Sequence, residues 1–588
     1  MIIKIISLFI EVLKKKTLIT LLLAVFLLFS SLTFIIKIIF LQMFFDSIND
    51  LINTGDVSKG LIILFAAIFF LNLAEIFFNT YTPYVVTKFQ LNISKLLTRK
   101  LSTICSKIEL IKFEDNEYLN FINKALNGVG TIQQMIFIVM EILFFYIPFI
   151  FFLYSYYYNL SSMLSFFVVI AFMPALINQI IRVKVYKKLE DVSGQLRREC
   201  EYYRDCIISK EYFKETRLTG AYELFNNYYK SAIRRLADSR IKFEINGFVI
   251  LYVMKIVTII AYTCAIIIIV LNYIKGYISI GSVSAMYLTI DKLFRIAEDM
   301  VYKEFGGLSE NFGASIYYLK FVEQPLNDCQ EIEVYFNDKI DLKEVSFNYP
   351  SNDKEVLRNI NITIRKGEHI AIVGENGSGK STLSKILIGL YNPTVGTVKY
   401  DGKNIKTSNN RFVLNKSSAV FQKFCKYSFS IEDNVKISQT YKIDDTNDED
   451  NIKRALINSG FTYESKYYKE KLKTILGRDF GGIDLSGGQW QRLAIARGIY
   501  REHEIIVLDE PTAAIDPIEE RNLYNQFMKI SKNKTAIIIT HRMGSIKSAD
   551  KIVVLKNHGI VEFGGFDELI TKKGEFYSMY KLQADLYK

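Results

Sequence analysis

Six long apolar stretches, at about 17–43, 60–86, 133–155, 160–183, 247–273 and 278–300, constrain this chain more than any other feature. About 20 mostly apolar residues suffice to cross a bilayer as a helix. The hydrocarbon offers no partners for backbone N–H and C=O groups, so segments of this kind must be helical. Residues 1–304 therefore read as a six-helix membrane domain. At 588 residues the chain is also too long for one ordinary domain.

The links between the spans set the orientation. Lys14, Lys15 and Lys16 precede the first span. The next link carries Asp46, Asp50 and Asp56 against Lys59, and reads as external. The long links 87–132 and 184–246 are rich in Lys and Arg and read as internal, as helices that continue past the bilayer. Tyr156, Tyr157, Tyr158 and Asn159 form an uncharged link that suits the outer interface. Both termini are then expected in the cytoplasm of a multi-pass protein of the cell (cytoplasmic) membrane. The start, with its lysines, reads as an interfacial helix and not as a cleavable signal. The net charge of +12 follows from these internal links, so no nucleic-acid partner is expected. The six cysteines form no CxxC pair and no His stands at metal-ligand spacing, so neither a zinc site nor a disulfide framework is expected.

Residues 305–338 read as a connector, and 339–588 as an α/β domain of the P-loop NTPase type. Gly374-Glu375-Asn376-Gly377-Ser378-Gly379-Lys380-Ser381-Thr382 follows the apolar run Ile370–Val373 and opens a helix-like stretch. Strand, glycine-rich loop and helix are the context in which backbone N–H groups turn onto phosphates. Lys380 would neutralise the β- and γ-phosphates and Ser381 would hold Mg²⁺. Asp509 and Glu510 end the apolar run Ile505–Leu508, where one carboxylate can join the magnesium shell and the next can orient a water. Leu485-Ser486-Gly487-Gly488-Gln489 opens an amphipathic run whose N-terminus and serine hydroxyl can bind a phosphate. No internal repeat is found, so the chain is one half-unit.

The pair formed by the phosphate loop and Leu485–Gln489 resembles the nucleotide-binding domain of the ATP-binding cassette (ABC) family. Membrane part first and cassette second resembles that family's exporter half-transporters, over nearly the whole chain. The resemblance implies ATP and Mg²⁺ as cofactors, with Gly374, Asn376, Gly377, Ser378, Gly379, Lys380, Ser381 and Thr382 around the phosphates. Tyr349 matches the aromatic that stacks on adenine. Gln422 matches the Q-loop glutamine that touches Mg²⁺ or the attacking water. Glu510 matches the catalytic carboxylate and His541 the residue that contacts the γ-phosphate. Ser486, Gly487, Gly488 and Gln489 would contact ATP held by the opposite subunit, which implies a head-to-tail dimer, in the simplest reading a homodimer, with pairing to a similar half left open. Ala513–Asp516 fills the D-loop position loosely. Phe113–Tyr118 and Lys210–Leu218 resemble the two coupling helices.

The Lys210–Leu218 region, the run Phe480–Asp484 and Trp490 are similar to transporters of lantibiotics and other peptides. The favoured cargo is therefore a peptide of bacteriocin or lantibiotic type, with multidrug or lipid export as the alternative. The chain opens directly on its interfacial helix, so removal of any leader is expected to fall to another protein. Ionisable residues within the spans point to a cavity or to pairing. Glu75 lies in mid-span two, Asp291 and Arg295 lie in span six, and Glu141 and Lys255 lie near the inner leaflet. Lys37 is expected to snorkel outward. Both signs occur, so no preference for charged cargo follows. Two rivals remain: a soluble cassette acting on nucleic acid or ribosomes, which the spans oppose, and an ATP-gated membrane sensor that transports nothing.

Overall fold

In a computed structural model, the residues described here are 2–54, 59–166, 196–299, 305–325, 334–350, 354–405, 411–442, 448–510, 527–528, 530–541 and 546–586. The chain divides into two compact units. One comprises Met1–Ser106 and Asn120–Pro325, the other Lys107–Leu119 and Leu326–Lys588.

The first unit is helical. It holds α1 (Ile2–Lys15), α2 (Thr17–Thr54), α3 (Lys59–Cys105), α4 (Asn116–Glu141), α5 (Ile147–Leu160), α6 (Phe213–Leu218), α7 (Tyr222–Ile274), α8 (Ile280–Asp299) and α9 (Phe305–Val322). Among the described residues four helices, Thr17–Thr54, Lys59–Cys105, Asn116–Leu160 and Tyr252–Ile274, are long and apolar enough to cross a membrane. A shorter apolar stretch, Ile280–Thr289, opens the helix at the sixth expected span. The fourth expected span lies, past Phe166, outside the described residues. The 47 residues of α3 extend about 70 Å at 1.5 Å per residue, far beyond the hydrocarbon core.

Local chemistry explains several features of this unit. A π-helical turn, Ile142–Tyr146, joins α4 to α5 just before Pro148. Proline has no N–H to donate and its ring crowds the preceding turn, and the wider turn makes room for it. Helix α1 buries Leu8, Phe9 and Val12, while its Glu11 binds Lys15 at 2.8 Å and Lys100 of α3 at 3.0 Å. The N-terminus of α8 is capped from another helix. Asp46 of α2 accepts from Gly281 N at 2.8 Å and from the Ser279 hydroxyl at 2.9 Å. A Cβ on Gly281 would collide with the Gln42 carbonyl oxygen, so only glycine allows α2 and α8 this close approach. Lys37 does not reach outward as expected. Its ammonium pairs with Glu75 of α3 at 2.9 Å, because two antiparallel helices place these residues side by side.

The second unit is built on two sheets. An antiparallel sheet has the order β2-β1-β4-β5, from β1 (Lys339–Asn348), β2 (Glu355–Arg365), β4 (Val395–Tyr400) and β5 (Lys403–Asn404). The other has the order β10-β9-β3-β8-β7-β6, from β3 (His369–Gly374), β6 (Ser417–Val420), β7 (Ile505–Asp509), β8 (Thr535–Ile539), β9 (Lys551–Lys556) and β10 (Gly559–Gly564). Its strands run parallel except for β10. The central strands are continuous apolar runs because both faces are covered. Ile370, Ile372, Val507, Ile537 and Val553 face one core. Their neighbours at alternate positions face two others, Ala371 and Val373 in one, Leu508 and Ile538 in the second. Helix α10 (Lys380–Leu387) follows β3. A further core gathers α11 (Ile431–Lys436), α12 (Asp448–Asn458) and α13 (Gly487–Tyr500) around Trp490 and Leu493. Helices α14 (Phe566–Lys572) and α15 (Glu575–Leu586) close the chain.

Segment Lys107–Leu119 clusters with this second unit. It forms a 3₁₀ turn at Leu110–Glu114, where Ile111 packs on the main core. The Glu114 carboxylate accepts from the Tyr391 hydroxyl and lies 3.6 Å from Lys385.

Candidate nucleotide site

The site lies where four neighbouring parallel strands end. The order β3-β8-β7-β6 brings together the loop after β3, His541 after β8, Asp509 and Glu510 at the end of β7, and Gln422 after β6. Ligands of open α/β sheets bind beyond these carboxyl ends.

Glycine geometry shapes the loop. Gly374, Gly377 and Gly379 have φ values of +151°, +81° and +100°. A Cβ on Gly374 would strike the Leu555 carbonyl oxygen, and one on Gly379 would lie 2.6 Å from Leu357 Cδ2. Lys380 folds back over the loop and donates to the carbonyl oxygens of Gly374 at 3.0 Å and Glu375 at 2.8 Å. Burial holds its ammonium below the usual lysine range, against the opposing pull of Glu510 and Asp509. Asn376 and Thr382 complete the run, and the Thr382 hydroxyl lies 3.1 Å from that of Tyr349. The Tyr349 ring packs edge-on to Phe347 and Tyr391.

Glu510 is held by two residues distant in sequence. Its carboxylate lies 2.6 Å from His541 Nε2 and accepts from Gln422 Nε2 at 2.9 Å. Its backbone has φ +46°, a left-handed conformation unusual for a residue with a side chain, and its N–H donates to Ile539 O at 3.0 Å. Burial pushes the Asp509 carboxyl up. The Ser381 hydroxyl bonds to it and draws it down, Glu510 adds to the rise, and Lys385 and Lys380 oppose it. Two buried polar atoms here, Ser378 Oγ and Asp509 Oδ1, have no hydrogen-bond partner among the described residues. Both atoms are available to a ligand. A hydroxyl and a carboxylate already in contact, Ser381 and Asp509, are a hard oxygen pair of the kind Mg²⁺ takes. The residues present therefore fit a magnesium nucleotide.

The second motif forms its own structure. Ser486 is the N-cap of α13. Its Oγ accepts from Gln489 N at 3.3 Å, and Gln489 Oε1 accepts from Ser486 N at 2.9 Å, a reciprocal capping box. Ser486 and Gly487 are exposed, with Gly488 beside them. No hydrogen bond joins this motif to the phosphate loop among the described residues. Ala513–Asp516 lies outside the described residues.

Sequence reasoning missed Gln583. This residue of α15 donates from Nε2 to the His541 carbonyl oxygen. The N-terminus of α15 is pinned by Glu562 of β10, whose carboxylate accepts from Glu575 N at 2.8 Å and Phe576 N at 2.9 Å. No motif signals a glutamine so far from the histidine in sequence. Tyr391 and Lys385, which meet Glu114, were missed for the same reason.

A P-loop ATPase domain on a chain with membrane-length helices is the class that this fold and site define. Residues 357–513 match the family model described as ABC transporter. The chain is 28% identical over 562 residues to the nisin transport ATP-binding protein of Lactococcus lactis subsp. lactis, covering 91% of this chain and 89% of the relative. It is 28% identical over 550 residues to the subtilin transport ATP-binding protein of Bacillus subtilis, covering 92% and 88%. An ATP-dependent lipid A-core flippase of Wigglesworthia glossinidia brevipalpis is 28% identical over 441 residues, covering 73% and 72%. Among solved structures, a bacterial Atm1-family ABC exporter with ATP bound superposes with TM-score 0.74 over 97% of this chain and all of the other, at 19% identity. The cassette is an ABC transporter ATP-binding domain, and the chain as a whole has the fold of an ABC exporter.

Proposed function

We propose that the protein is an ATP-driven peptide exporter, working as a homodimer in the cytoplasmic membrane with six spans per chain and both termini inside. The observation that carries this reading is the joining of a complete phosphate-loop and carboxylate edge to membrane-length helices, on a chain similar over nine-tenths of its length to the nisin and subtilin transport ATP-binding proteins.

Lys380 binds the β- and γ-phosphates together with the backbone N–H groups of Gly377, Ser378 and Gly379. Ser381, Asp509 and Gln422 would hold Mg²⁺, which when bound offsets charge on the phosphate oxygens. Glu510 orients and deprotonates the attacking water, and His541 holds Glu510 and meets the γ-phosphate. Tyr349 borders the adenine. The Ser486 hydroxyl and the N-terminus of α13 are exposed and, among the described residues, form no hydrogen bond to this chain's own phosphate loop, in keeping with the family resemblance, in which their phosphate comes from ATP on the partner subunit. ATP favours the closed cassette pair, and its loss after hydrolysis releases that bias, which is a population shift between two states. Segment 107–119, packed on the cassette core through Ile111 and Glu114, carries the motion to the spans.

The test is uptake of a host peptide extract into inside-out vesicles, read by mass spectrometry, with Glu510→Gln protein as control. ATP-dependent enrichment of a defined peptide, absent in the control, is expected. Intact ATP hydrolysis with no peptide enriched would sink the peptide reading and turn attention to lipids, in line with the flippase relative.

A further inference from the structure

Three charged residues far apart along the chain meet in the first unit. Glu75 of α3 takes two ammonium groups on its two oxygens: Lys37 of α2 at 2.9 Å on Oε2, and Lys292 of α8 on Oε1. Lys292 Nζ also lies 4.6 Å above the Phe34 ring.

Depth follows from helix arithmetic. Lys37 and Glu75 lie 17 and 16 residues from the facing ends of α2 and α3, at Thr54 and Lys59. Asp46 and Gly281 tie α2 to α8 at one level. Lys37 lies 9 residues below that level and Lys292 lies 11, or about 14 and 17 Å at 1.5 Å per residue. The three residues therefore lie within the expected apolar spans, on one side of the Asp46–Gly281 junction.

Two ammonium groups against one carboxylate leave the triad with one excess positive charge. Within an apolar span such a charge is costly against lipid, and ionisable groups there face water or protein. The side chains are 24%, 21% and 34% exposed for Lys37, Glu75 and Lys292, so the cluster is only partly covered within the single chain. An ammonium carries three N–H donors, and Glu75 engages one from each lysine, which leaves capacity for another anion.

We propose that Lys37, Glu75 and Lys292 form an anion subsite on the transport path that takes a carboxylate group of the cargo. Glu75 holds the two lysines in place and competes with the incoming carboxylate. The two lysines are the attractive element, because charge-assisted hydrogen bonds to a carboxylate gain strength where water is scarce. Selectivity therefore depends on the sign of the net charge. This rests on the peptide-export reading above.

The experiment uses the full-length protein in inside-out proteoliposomes with ATP. The probe is a synthetic library of end-blocked peptides, in equimolar pairs that differ only by Glu or Gln at one position, and accumulation is read by mass spectrometry. In the wild type the Glu member of transported pairs should exceed its Gln twin by about tenfold, the scale of one charge-assisted hydrogen bond. Lys292→Met and Lys37→Met should bring the ratio towards one. Glu75→Gln should raise it, because the competing carboxylate is gone. A triad that only clamps helices predicts equal accumulation of both members in every protein, and that result overturns the proposal. So does a wild-type preference that survives both lysine variants. If neither member of any pair accumulates while ATP hydrolysis continues, the peptide-export reading falls and takes this subsite with it. Should Glu75→Gln fail to fold, the two lysine variants decide the matter alone.

Discussion

Glu510 is held from two directions, by His541 at 2.6 Å and Gln422 at 2.9 Å, on a left-handed backbone that its neighbours must enforce. If it is the general base, Glu510→Gln should lower ATP turnover by about 10²–10⁴-fold while nucleotide binding persists. Phosphate release and fluorescent-nucleotide titration check both halves, and turnover near the wild-type rate would refute the role. A different residue senses acid. His503 is buried, its Nδ1 2.5 Å from Arg501 O and its Nε2 3.4 Å from Lys534 Nζ, a pattern that suits the neutral ring. Burial, with the Lys534 ammonium beside it, pushes its pKa down from 6.5 to about 4. Between those values the unfolded chain binds the proton and the folded one does not. Stability therefore falls as pH drops from 6.5 towards 4 and is unaffected by this group above 6.5. The contribution is roughly 3 kcal/mol. In thermal unfolding of the full chain, His503→Gln should flatten that part of the pH profile, and parallel curves for variant and wild type would count against it.

Among the elements, α15 acts on the site from outside it. It is pinned at one end by Glu562 and reaches the His541 backbone through Gln583 at the other. Gln583→Ala should reduce kcat by about three- to tenfold with little change in KM, since small misplacements of a catalytic group cost rate and not binding. Steady-state kinetics beside a melting curve would tell this from simple destabilisation. A fall in melting temperature with kcat intact would argue against the positioning role. Here the limits of sequence reading are physical. The strand–loop–helix around Lys380 is local, so spacing alone revealed it. The bonds Gln583–His541 and Glu114–Tyr391 join residues 42 and 277 positions apart, and no pattern along the chain encodes them.

For the whole molecule, the exposed Ser486 motif forms no hydrogen bond with the phosphate loop among the described residues. The proposed head-to-tail pair would pool them, so Lys380→Ala and Ser486→Arg, each inactive alone, should complement each other. Random pairing makes half the dimers mixed, each with one intact composite site, so ATPase activity should return to about a quarter of wild type. No recovery on co-expression would exclude shared sites.

By itself the sequence determined that apolar helices precede an α/β unit, and where the glycine-rich loop falls between strand and helix. Apolar run length and short-range glycine spacing are local properties, and backbone physics reads them directly. Only the tertiary structure decided which charges meet. Glu75 was a lone costly carboxylate and Lys37 an outward-reaching cation until antiparallel packing of α2 and α3, and the Asp46–Gly281 junction with α8, set their levels. Electrostatic partnership depends on distance in space. Helices of this length bring together residues hundreds of positions apart, which no pattern along the chain records.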